Sequence, residues 1–255
     1  MSKMPVLFVG HGSPMNAIEN NEFSNKWKEI AKDIPKPKAI LVVSAHYYTN
    51  GTRIVYTENP KMIYDMYGFP EPLYEVKYPA LGSTYHAEKI IENSSFHIEK
   101  DENWGIDHGA WSVLVHMYPE ADIPVLELSI NNDMTLEEHL LLGKELSFLR
   151  DEGVLILCSG NIVHNLNLMD WNKENGFLWA EEFDEYIKEN IVKNNINNII
   201  NYEKNTSSYK NAFYTKEHFI PIIYALGAVG KNYKVEIFND KCVYGSISMT
   251  CYIFD

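Results

Sequence analysis

Three apolar runs in this chain end in the same kind of chemistry. Val6–Val9 leads into Gly10-His11-Gly12, Leu41–Ser44 into Ala45-His46, and Leu155–Ser159 into Gly160-Asn161 and then His164. Imidazole nitrogen binds zinc, iron, copper and nickel, and imidazole exchanges a proton near neutral pH. Gly10, Gly12 and Gly160 let the backbone turn sharply and come close to a bound group. One strand-end histidine is more often a capped polar residue; three that meet at one rim point to a mononuclear metal site. The sequence has no HExxH helix, and Cys158, Cys242 and Cys251 are too scattered for a paired-cysteine metal site or a disulfide framework.

The elements that would position these histidines read as alternating strands and helices. Ala39–Ser44 and Val154–Ser159 are apolar without alternation, as in strands covered on both faces. Pro5–Val9, Arg53–Thr57, Phe96–Glu99 and Pro124–Ile130 add strands, and Val235–Phe238 and Ser246–Ile253 close the chain. Helical patterns cover Glu22–Asp33, Thr84–Glu92, His108–Met117, Thr135–Arg150, Trp179–Ile200 and Thr215–Leu226. Thr135 and Glu138 have the spacing of a capping box, and Thr215 reads as an N-cap. A proline- and tyrosine-rich stretch, Glu58–Gly82, reads as a long functional loop. Asn194–Lys210 reads as a polar surface connection.

This order predicts one α/β domain, residues 1–255, with a mainly parallel central sheet and helices on both faces. Ligands of such sheets bind beyond the carboxyl ends of the strands, so His11, His46 and His164 are expected on one rim.

The net charge of −13, from 35 acidic and 22 basic residues, argues against nucleic acid or an anionic membrane surface as partner. No apolar run approaches the roughly 20 residues needed to span a bilayer. Met1–Phe8 does not read as a signal peptide. With three unpaired cysteines, the expectation is a reduced, cytoplasmic protein. The sequence leaves the oligomeric state open.

The segments "GHGSPMN" (Gly10–Asn16), "SAHYYT" (Ser44–Thr49), "YDMYGFPEPLYEVKYPALGS" (Tyr64–Ser83), "WGIDHGAWSVLVHMYPEADIPVLELSI" (Trp104–Ile130), "SGNIVHNL" (Ser159–Leu166), "EHFIPIIYALGA" (Glu217–Ala228) and "GSISM" (Gly245–Met249) occur in this order. Together they resemble the class III extradiol ring-cleavage dioxygenases, in the branch similar to 4,5-DOPA extradiol dioxygenases. The resemblance runs from the first strand to the last. It implies an α/β fold around a mainly parallel sheet, and cleavage of a catechol by O2 at one divalent metal. Fe(II) is expected for activity, and an all-histidine set also accepts Zn(II).

By matching motif, the resemblance implies His11, His46 and His218 as metal ligands. His164 lies at the metal or beside it, as ligand or as acid–base residue, and His108 faces the substrate as a catalytic group. The wider class completes its site with a glutamate where this chain has His218. Glu217 is adjacent, but helix neighbours diverge by about 100°, so only one of the two is expected to face the metal. Tyr64 and Asp65 are candidates for contacting substrate, and Tyr67, Tyr74 and Tyr78 for lining the pocket. Asp107 is a candidate to orient a histidine. His86, His97, His116 and His139 read as structural or exposed, and Trp104 and Trp111 as core. Two other readings stay open: a zinc hydrolase on the same histidines, and a metal-binding relative without turnover.

Overall fold

The computed structural model describes residues 3–255. Met1 and Ser2, part of the stretch read as lacking a leader, lie outside the described residues. Eight strands form one sheet in the order Ile98–Asp101, Thr52–Val55, Val125–Asn131, Ala39–Thr49, Val154–Gly160, Val6–Gly10, Cys251–Phe254, Val235–Phe238. The four strands from Val125–Asn131 to Val6–Gly10 are mutually parallel. Cys251–Phe254 and Val235–Phe238 join antiparallel at one edge. At the other edge Thr52–Val55 meets Val125–Asn131 antiparallel and pairs in parallel with Ile98–Asp101.

The unbroken apolar runs are explained by where their side chains go. Val6 and Phe8 enter one buried cluster, and Leu7 and Val9 the other; Leu41 and Val43 divide from Ile40 and Val42 in the same way. The first cluster lies under helices Leu136–Glu145, Leu178–Val192 and Ile220–Val229, and the second under Glu22–Asp33 and His108–Met117. Each fully buried aliphatic side chain contributes about 1.5–3 kcal/mol, so both faces of the sheet are anchored. This is the α/β architecture expected of the sequence.

The differences have local causes. Ala39–Thr49 continues past Ser44, and its register against Val125–Asn131 shifts between Val43 and Tyr48. Such a bulge re-aims side chains, and His46 sits in it. The expected helix Trp179–Ile200 ends at Val192; Asn194 takes φ 55°, and a short helix resumes over Ile196–Ile200. The expected surface connection holds short helices whose Ile199 and Tyr202 are buried. Ser246–Ile253 divides into Ile247–Ser248, paired with Cys242–Val243, and Cys251–Phe254. The last helix begins at Ile220 rather than after Thr215, because Pro221 is tolerated only in a first turn. His218 therefore lies in the turn before that helix.

His139 is fully buried between helices Leu136–Glu145 and Ile220–Val229, with Nδ1 3.0 Å from the Tyr224 hydroxyl. Burial pushes its pKa down to about 4, against a smaller upward pull from Glu138. The unfolded chain binds this proton near pH 6.5 and the folded one does not, so the stabilisation is present above that pH and is lost as pH falls toward 4. Between pH 7.5 and 5.5 His139 is expected to cost the fold about 1 kcal/mol. Urea unfolding at the two pH values should show a loss about 1 kcal/mol larger in the parent than in His139→Leu. Equal losses in both proteins would exclude His139 as the source.

Candidate functional site

His11 leaves the end of Val6–Gly10, and its N–H donates to the Gly160 carbonyl at 3.2 Å. Gly12 turns the chain with φ 61°, a left-handed conformation that favours glycine. Asn16 then reaches back and donates Nδ2–H to the His11 carbonyl at 2.9 Å. His46 comes from the bulge. His218 is fixed by its backbone: the Asn161 N–H donates to its carbonyl at 2.8 Å. A Cβ on Gly160 would lie 2.2 Å from that same oxygen, so only glycine lets the two segments close.

These three elements bring His11, His46 and His218 together, with their nearest ring nitrogens within 4.8 Å of one another. Ring centroids are 5.0–5.4 Å apart, and the Nε2 atoms of His11 and His46 are 3.1 Å apart. His11 and His218 are almost wholly buried. His46, 18% exposed in its side chain, is the histidine of this group that faces the opening.

The hydrogen bonds on the far side of each ring assign the tautomers. Ser159 Oγ donates its one hydrogen to the Gly109 carbonyl (2.6 Å), so it accepts from His11 Nδ1–H (2.9 Å). His46 Nδ1 faces Asp65 Oδ2 at 3.0 Å, and His218 Nδ1 faces Glu217 Oε1 at 3.1 Å. Ionised carboxylates only accept, so these nitrogens also carry hydrogen. All three Nε2 atoms then present lone pairs to one another. His218 Nε2 is buried with no partner, and two lone pairs 3.1 Å apart repel unless a cation or proton sits between them. Neutral imidazoles with Nδ1–H held by carboxylate or hydroxyl are how metal-binding histidines are oriented. The donor set fits a divalent metal.

The electrostatics favour the neutral ring at His11 and His218 and the protonated one at His46. Burial, then the neighbouring imidazoles, hold His11 and His218 well below the usual histidine range. Burial also acts on His46, but the Asp65 hydrogen bond and the Asp107, Asp65 and Glu217 charges outweigh it and raise its pKa. Burial opposes ionisation of Asp65, yet its hydrogen bonds from His108 and His46 hold it well below the usual carboxylate range.

His108 opens helix His108–Met117 and lies beside this group, its ring centroid 3.8 Å from that of His46. Its Nδ1 faces Asp65 Oδ1 at 2.9 Å, which leaves Nε2 free. Burial and His46 push its pKa down, against Asp65. His164 is placed differently from the other strand-end histidines. Its ring stacks on His218 at 3.5 Å and 8°, and it groups with Glu217 and His218 rather than with His11 and His46. Burial lowers its pKa to about 4.

Several expectations are revised by these contacts. Both Asp65 oxygens are taken by histidines, and the Tyr64 hydroxyl donates to the Val76 carbonyl at 2.6 Å, so neither bond pattern is that of a free substrate contact. The orienting role considered for Asp107 falls to Asp65. Asp107 instead caps its helix and accepts from Ser44 Oγ at 2.7 Å. Glu217 does not turn away from His218, because the two lie in a turn and not on a helix. Tyr78 is buried and donates to the Tyr118 carbonyl, while Tyr67 is exposed. Ser159 was unmarked by sequence reasoning, although the serine that closes an apolar run before the glycine was its signal.

Comparison with known proteins adds to this geometry. The family model described as the catalytic LigB subunit of aromatic ring-opening dioxygenase matches residues 2–255. The chain is 40% identical to a 4,5-DOPA dioxygenase extradiol of Escherichia coli (strain K12), covering 97% of this chain and 93% of that protein. It is 37% identical to the protein of that name from Beta vulgaris, covering 97% and 95%. The crystal structure of an uncharacterized protein from Escherichia coli K12 superposes with a TM-score of 0.86 at 36% identity, over 98% of this chain and 99% of that one. With this match along its length and a histidine cluster suited to a metal, the chain belongs to the LigB family of aromatic ring-opening dioxygenases.

Proposed function

We propose that this extradiol dioxygenase opens a DOPA-like catechol, that His11, His46 and His218 hold its single divalent metal, and that Fe(II) is the active ion. The observation that carries the ligand assignment is the convergence of three Nε2 lone pairs, each fixed by a partner on Nδ1. When bound, iron supplies open coordination positions and the redox chemistry that joins a catechol to O2, whereas zinc in the same seat has no redox chemistry.

The protein's own groups move the protons. His108, its Nδ1–H held by Asp65, offers Nε2 as the base for a catechol hydroxyl. Asp65 also holds His46, so one carboxylate fixes both the base and a ligand. His164 lies flat against His218, with its backbone N–H donating to the Ala212 carbonyl at 2.7 Å; from there it serves as the second acid–base residue. The catalytic domain takes in residues 1–255, a reading supported by the family match over 2–255. A cytoplasmic location is supported by three free, buried cysteines. Among the described residues no helix is long and apolar enough to cross a membrane.

The test is reconstitution with Fe(II) in the absence of air, then exposure to isotopically labelled O2 with DOPA or caffeate. The expected result is O2 uptake and a ring-opened product carrying both labelled atoms, with no turnover by zinc-loaded protein. Zinc-supported turnover without O2 would instead identify a hydrolase. Stoichiometric metal with no turnover of any catechol would identify a non-catalytic metal protein.

A further inference from the structure

Beneath the histidines lie two carboxyl groups that the chemistry above does not use. Glu127, in the middle of strand Val125–Asn131, and Asp107, the cap of helix His108–Met117, are both 0% exposed. Glu127 Oε1 accepts from the Asp107 backbone N–H at 3.0 Å, and Oε2 from Trp104 Nε1 at 3.1 Å. Asp107 Oδ1 accepts from Ser44 Oγ and from the Ala110 N–H. Asp107 Oδ2 is buried with no N–H or neighbouring hydroxyl donor. Among the described residues neither carboxyl forms an ion pair or hydrogen bond with a lysine, arginine or histidine side chain.

Two buried carboxylates side by side with no cation between them are not both ionised, because burial and mutual repulsion each favour the neutral acid. We propose that Asp107 and Glu127 share one proton at neutral pH, so that a neutral acid donates to Asp107 Oδ2 and pins the cap of the helix presenting His108. The charged and titratable groups around the pair fit this. Asp65, on the loop, adds repulsion. His46, on strand Ala39–Thr49, and His108, on the capped helix, act in the opposite sense on Asp107. Tyr47 is held by Asp101, its hydroxyl donating to Oδ2 at 2.6 Å, so it is not a donor to the pair. Burial first, then Asp107, drives Glu127 well above the usual carboxylate range.

Glu127 and Asp107 are positioning residues: they act on His108 through the helix cap. That consequence depends on the catalytic role proposed for His108. The shared proton does not, and the two measurements below read the pair alone.

The first is infrared spectroscopy of the protein as purified, at pH 8 in D2O. A carbonyl stretch of a protonated carboxylic acid is expected, shifted when glutamate and aspartate carry a carbon isotope label and lost in Glu127→Gln. The second is the pH dependence of unfolding. The unfolded chain holds no proton on these residues above pH 6, while the folded pair holds one, so folding takes one up. The pair's contribution to the folding constant therefore falls about tenfold per pH unit from pH 6 to 8. The amide of Glu127→Gln mimics the neutral acid, so the ratio of its folding constant to the parent's should rise tenfold per unit. Absence of the band in the parent protein overturns the proposal even where the variant fails to fold. A pH-independent ratio overturns it as well.

Discussion

Alanine at His11 or His46 is expected to leave the purified protein without stoichiometric metal, where the parent is expected to carry one divalent ion per chain. Elemental analysis after reconstitution measures this directly, and circular dichroism checks that the sheet is intact. Apparent affinities of about 10–16 kcal/mol for tetrahedral sites divide over four ligands to roughly 2.5–4 kcal/mol each. Losing one is then worth roughly 10²–10³-fold in affinity. The fold survives because neither ring belongs to the apolar clusters that anchor the sheet. His218→Ala should behave alike, since its Nε2 meets the other two. Unchanged metal content in the His11 and His46 variants would overturn the ligand assignment. Asp65→Asn is a milder form of the same experiment. It keeps the ligands but weakens the grip on His46 Nδ1–H, with an expected loss of about 10–100-fold in metal affinity.

His108→Ala should do the opposite: keep metal and lose turnover by roughly 10²–10⁴-fold, the usual worth of a positioned acid–base group. His108 Nε2 is the nitrogen left open, because Asp65 occupies Nδ1. Single-turnover rates with the metal-loaded variant measure the loss. His164→Ala separates the two roles open to that residue. His11, His46 and His218 form their group without His164, which lies against the face of His218. The variant is therefore expected to hold metal at the parent's level with reduced turnover. A variant that loses metal would make His164 a fourth ligand, and a His108→Ala protein that turns over normally would remove His108 from the chemistry.

What the sequence disclosed follows from what is local. Val6–Gly10 and Val154–Gly160 were legible because a strand covered on both faces needs an unbroken apolar run, and their ends carry the glycines and His11. His46 was legible as a residue but not as part of a bulge, because register depends on the neighbouring strand. His218 was found by motif, yet its place before the helix was set by Pro221, against the weaker signal of Thr215 as a cap. The bonds of Asp65 to His46 and His108 were not legible, because it lies in a long loop and nothing local says which histidines that loop reaches. Glu127 drew no notice within the apolar run "VLELSI", because its partner is 20 residues away.

The spread of the histidines along the chain has a consequence for synthesis. His11 and His218 are 207 positions apart, and the contact of Gly160 with the His218 carbonyl closes only when the segment before the last helix is in place. No stretch of the unfolded chain holds two of the three residues close together, so a growing polypeptide on the ribosome has no partial chelate to fill early. If these three residues hold the metal, loading would wait for the late part of translation, and the ion would be selected by an already folded cage. The bound ion would then act as a clasp between the first strand and the last third of the chain, adding stability in proportion to the logarithm of free metal over Kd. Starving cells of metal should therefore shorten the lifetime of this protein against proteolysis before it alters the amount synthesised.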